Sequence, residues 1–183
     1  MKKSFTTIIQ TLALLILLQG CSSIPLSTML KMSSFDETDF VNLKAEDIRV
    51  KVRNNTQENV LTNNVLRYQY RGPEGAIDQS FSMELIKEDV EAIEHWFADD
   101  SYQHSSWYKL DDEGTKLFKE LQKDPLLAMR KKEGDFKFSV TFKLTGNAPE
   151  RFMMSIDLLL DPEDGYFTLF DQHELNLTEA QND

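Results

Sequence analysis

Cysteine is almost absent: Cys21 is the only one in 183 residues, so no disulfide can close within the chain and the fold must rest on packing alone. Glycine is also scarce, with seven residues, and no glycine-rich phosphate loop or Gly-x-Ser-x-Gly nucleophile elbow occurs. A catalytic triad could therefore arise only from residues brought together in space. Cations are in the minority. Twenty Lys and Arg stand against 31 Asp and Glu, a net charge of −11, which disfavours nucleic-acid binding, because phosphate contacts need clustered basic side chains. The densest basic run, Arg130-Lys131-Lys132, is explained by the negative end of a helix dipole. No internal repeat and no low-complexity segment is present, which sets solenoids and propellers aside. What the chain does have is hydrophobic mass, including twelve Phe and two Trp, enough for one folded domain.

The N-terminus carries an address. Lys2 and Lys3 precede an apolar stretch from Ile8 to Leu18, broken only by Gln10 and Thr11, the charged n-region and apolar h-region of a secretion signal. A permanent span needs about 20 apolar residues, and this run is about half that. Leu18-Gln19-Gly20-Cys21 follows at once and resembles the lipobox of bacterial lipoproteins. That resemblance implies cleavage before Cys21, diacylglyceryl on its sulfur and a palmitate-type acyl group on the new amine. Gln19 departs from the pattern, in which a small residue is commoner at that position. By the sorting pattern of Gram-negative lipoproteins, Ser22 implies the outer membrane, with the domain facing the periplasm. The composition from Ser22 onward, including Ile48 to Arg53, also resembles that of proteobacterial envelope lipoproteins of uncharacterised function, and it brings no activity with it.

The expected organisation is a signal peptide over 1–20, a lipidated N-terminus and tether over 21–45, one domain over 46–177 and a polar tail over 178–183. The tether mixes Ser, Thr and Pro with Met29, Leu30, Met32 and Phe35, so its second half should pack on the domain. Period-two alternation predicts strands at about 47–53, 66–71 and 79–86. Val90, Ile93 and Phe97 fall at helical spacing, and a second helix should start at Asp111 or Asp112 with Leu117, Phe118 and Leu121 on one side. Between them a loop is expected around 99–109. Alternation returns at Phe136 to Leu144, Phe152 to Leu160 and Tyr166 to about Leu175, predicted as a three-strand meander. The expectation is thus an α+β domain, an antiparallel sheet of about six strands in βββ-αα-βββ order with helices on one face. The alternative is a β-sandwich with a helical crossover.

Candidate chemistry is thin. His95 and Asp99 share a helical spacing that could ligate a metal, with His104 nine residues beyond His95. The recognised zinc helix has two histidines at that spacing with a glutamate between them, so surface histidines are the competing explanation. Asp157, Asp161, Glu163 and Asp164 supply carboxylates for a hard cation, but their spacing departs from the EF-hand. Trp96, Tyr102, Trp107 and Tyr108 group around the expected loop, either as an interaction surface or as one end of the core. No cofactor is expected. The sequence supports a membrane-anchored envelope lipoprotein with a noncatalytic protein-binding or assembly role. A small-ligand or lipid carrier and a metal-dependent enzyme are the alternatives.

Overall fold

The computed structural model describes residues 24–35, 37–73, 75–94, 101–125, 127 and 135–177, and β-alternation governs most of them. Seven strands form: β1 Arg49–Asn54, β2 Leu61–Gly72, β3 Gly75–Ile93, β4 Ser101–Leu110, β5 Asp135–Leu144, β6 Arg151–Leu159 and β7 Phe167–Asn176. The helices are α1 Leu26–Ser34, α2 Glu37–Asn42 and α3 Asp112–Leu121. This is a mostly-β chain in which α3 packs on the sheet, and the expected βββ-αα-βββ order is corrected in its middle. Val90 and Ile93 belong to β3 instead of a helix, and the expected loop around 99–109 is β4. Phe97 lies outside the described residues.

All pairings are antiparallel, in one sheet of order β5-β2-β3-β4-β1-β6-β7, which also sets aside the two-sheet sandwich. The last three strands are not a meander: β5 pairs with β2 at one edge, while β6 and β7 form the other. The six-residue connection 145–150 forces the sheet to curl. In a flat sheet, β5 and β6 would lie about 24 Å apart at roughly 4.8 Å per strand. A short link containing the Thr145–Ala148 turn cannot cover that distance, so β6 swings back toward β5 and the sheet closes into a curled half-barrel.

The concave side holds the core. Val50 and Val52 of β1, Leu66, Tyr68 and Tyr70 of β2, Phe81 of β3 and Ile156 and Leu158 of β6 are all buried. Phe118 of α3 packs edge-on against Phe81 at 5.1 Å. The start of α3 is fixed by Asp111, whose carboxylate accepts from the Gly114 N–H and the Ser82 hydroxyl, both at 2.7 Å. A Cβ at Gly114 would collide with the Ser82 carbonyl of β3, so only glycine lets the helix approach so closely.

These two bonds, the Gly114 N–H first, hold the Asp111 carboxyl below its usual range. A depressed folded-state value contributes stability that is complete above the ordinary carboxylate range and lost as pH falls through the folded value. Asp111→Ala is expected to cost about 1 kcal/mol, as lost caps do, and to flatten that part of the acid limb. Urea melts of both proteins at neutral and acid pH would measure this.

Residues ahead of β1 close the gap between the two sheet edges. The Thr28 hydroxyl of α1 donates to the Thr168 carbonyl on β7, and Phe35 meets Phe138 of β5 edge-on at 5.9 Å. Phe40 of α2 is 1% exposed and lies 4.6 Å from Tyr68, 5.0 Å from Phe118 and 5.8 Å from Phe138. Carbonyls left unpaired at the end of a short helix need donors. The Gln122 amide supplies them, donating toward the carbonyls of Phe40, Val41 and Leu43 at 2.8–3.1 Å.

Candidate functional site

Strand alternation divides the aromatic group read from the sequence. Tyr108 points into the core and is buried, and Tyr102 lies partly buried on the same side of β4. Trp107 points the opposite way, onto the convex face. Its neighbours there are Lys51 and Lys87, in register on β1 and β3, with their ammonium groups 4.8 and 4.5 Å from its ring centroid. Each such contact contributes about 0.5–1 kcal/mol at an exposed site, so Trp107 is anchored by its own sheet. Trp96 lies outside the described residues. The described members do not form one shared patch.

The concave side of β4 carries a polar row: His104, Ser106 and Tyr108 are buried, and none of their side-chain nitrogen or oxygen atoms finds a hydrogen-bond partner among the described residues. His104 is 3% exposed, with Nε2 3.5 Å from Glu88 Oε1. Among the described residues the Ser106 hydroxyl makes no bond to a base that would activate it as a nucleophile. His95 and Asp99 lie outside the described residues. Among those residues, no group of three or more His, Cys, Asp or Glu is placed to hold a metal ion. Of the C-terminal carboxylates, Asp157, Asp161 and Asp164 are engaged with separate partners, Asp164 with Lys31. Asp157 accepts two bonds from Arg53, at 3.0 and 3.2 Å, and one from Thr168 at 2.7 Å, while Asp161 accepts from the Glu163 N–H within its turn.

The most open feature is one the sequence reading missed. β3 is 19 residues long, well beyond the usual 3–10, and it changes partner midway. Gly75–Ser82 pairs with β2 and Met83–Ile93 with β4, so the β2-facing edge of the second half pairs with no strand among the described residues. Every residue from Glu84 to Ile93 is exposed, Leu85, Ile86, Val90 and Ile93 included. Ile86 sits at a bulge. Glu84, Glu88, Asp89 and Glu91 surround the single cation Lys87, and the Asn59 amide donates to Glu88. Bulges and charges are how proteins keep an open edge from pairing with its own copies. Among the described residues, no helix is long and apolar enough to cross a membrane, which says nothing of a β-barrel. No protein-family model, curated protein or solved structure matches this chain.

Proposed function

We propose that this is a lipid-anchored protein of the bacterial outer membrane, facing the periplasm, with a noncatalytic role: it docks an envelope protein along the open edge of β3. The observation that carries this reading is the exposed run Glu84–Ile93, paired with β4 on one side and with no strand among the described residues on its β2-facing edge, with its interleaved apolar and acidic side chains. An extended segment added to such an edge gains main-chain hydrogen bonds, and alternate side chains supply specificity. Net negative charge along this run favours a segment bearing Lys or Arg and opposes pairing with a second copy. Lys2, Lys3, the apolar run to Leu18 and Leu18-Gln19-Gly20-Cys21 support the anchor. The ligand-carrier alternative is weakened because Phe40, Tyr68, Phe81 and Phe118 already fill the curl.

Photo-crosslinking in living cells tests the edge. A crosslinker at Val90 is expected to give a discrete adduct mapping to a basic, extended segment of an envelope protein. The same group at Lys116, on the exposed side of α3, should give none. Ile86→Lys with Val90→Lys should abolish an adduct formed from Leu85 while leaving the melting temperature within a few degrees, as exposed substitutions do. No adduct at Val90, or equal adducts from Val90 and Lys116, would remove the reading.

A further inference from the structure

We propose that the outward face of α1 lies in the membrane interface, so that the domain is seated on the bilayer by a helix as well as by lipid. The inference rests on the anchor reading at Cys21. Its independent support is the way α1 is turned. The inward residues are Thr28, 3% exposed and bonded to Thr168, and the partly buried Met32, followed by Phe35. The outward ones are Leu26, Met29 and Leu30, at 71%, 46% and 64% exposure. Ser27, Ser33 and Ser34 share this outward face, the last two with their hydroxyls bonded back to the Leu30 and Lys31 carbonyls, so the face is uncharged and carries three large apolar side chains where a helix facing water would carry charged ones. The only charged residue of α1, Lys31, is drawn back to the domain, 3.0 Å from Asp164 and 4.8 Å from the Phe167 ring centroid. From Ser22 to Leu30 there is no charged side chain at all.

Chain length selects the occupant. Ser22 to Pro25 are all that separate Cys21 from α1. At no more than about 3.6 Å per residue, Leu26 stays within roughly 18 Å of an anchored Cys21. That is about the thickness of the headgroup zone and the adjoining acyl boundary, where interfacial helices bury their apolar faces. A protein groove or a second copy would have to enter this narrow space, whereas the bilayer is already there. Because α1 is bonded to β7, the seating turns the β7 edge toward the membrane. β3 is separated from β7 by β4, β1 and β6, which leaves its open edge away from the lipid.

Tryptophan fluorescence can read the depth. Full-length protein matured in the bacterial envelope, carrying Trp96→Phe, Trp107→Phe and Leu30→Trp, would be checked by intact mass. It would then be reconstituted into phosphatidylethanolamine–phosphatidylglycerol vesicles with and without lipids brominated just below the headgroup. We expect about twofold quenching at Leu30→Trp, the depth of an interfacial helix, and none at Ile86→Trp on the β3 edge. Leu26→Trp serves as a second reporter if the first variant misfolds. Acylated protein with unquenched emission at both α1 positions would overturn the proposal while leaving the anchor intact. Protein without acyl chains would overturn the anchor. The helix would then be judged by the same quenching after mixing with vesicles: a quenched signal would sustain the interfacial seating of α1 without the lipid, and an unquenched one would end the proposal.

Discussion

Cys21→Ser is expected to move the protein almost completely from the membrane pellet to the soluble fraction and to remove the acyl mass from the intact protein. Acyl chains contribute about 0.8 kcal/mol per buried CH₂, and two or three of them hold a protein almost permanently where one holds only marginally. No other single substitution should change the protein's distribution as much. Retention reduced but still measurable would be the contribution of the apolar face of α1, and Leu26→Ser with Leu30→Ser in the same background should remove it. Membrane fractionation with intact mass on detergent-extracted protein decides the matter. An unmodified Cys21 in soluble wild-type protein would refute the anchor and return the ligand-carrier and enzyme readings to first place.

Phe40→Ala should be the most destabilising of the substitutions considered, by about 3–5 kcal/mol, the usual cost of deleting a buried aromatic ring. Phe40 lies outside the sheet in sequence but inside it in space, against Tyr68, Phe118 and Phe138. Its removal leaves a hole that three large rings from different elements cannot close together. For a chain of this size, where 1 kcal/mol shifts the midpoint by about 2–4 °C, the loss corresponds to a fall on the order of 10 °C in melting temperature. Calorimetry on wild type and variant would measure it. A fall of only a degree or two would mean that α2 is not docked in the core. Phe40→Leu, which keeps most of the volume, should recover a large part of the difference.

Much of the fold was legible where a strand has one wet and one apolar face. β1, with Val50 and Val52 alternating with Arg49, Lys51 and Arg53, and β6, with its row of buried Phe152, Met154, Ile156 and Leu158, are plain in the sequence. The α3 start at Asp111 was legible from the cap residue. β4 was not. Its buried face is built from His104, Ser106 and Tyr108, so the period of two is present in space but not in hydropathy. The second half of β3 failed for the opposite reason: both faces are exposed, so Val90 and Ile93 showed only a three-residue spacing that a helix shares. The open edge could not be foreseen without β4, because it exists only once β2 and β4 are seen to take different halves of one strand. Strand order was illegible for a related reason. β5 is next to β6 in sequence, and only the curl lets a six-residue link carry the chain from one side of the sheet to the other.

With Cys21 lipidated as proposed, the segment carrying α1 and α2 would place the anchor and the hydrophobic core in mechanical series. A pull on an anchored Cys21 would be transmitted first to the bond between Thr28 and Thr168 at the β7 edge, and then, past Phe35, to the ring of Phe40 among Tyr68, Phe118 and Phe138. An anchored domain of this build would not hang from its membrane as a rigid bead on a slack string. Tension on such an anchor would load the contacts of α1 and α2 before it reached the strands of the half-barrel.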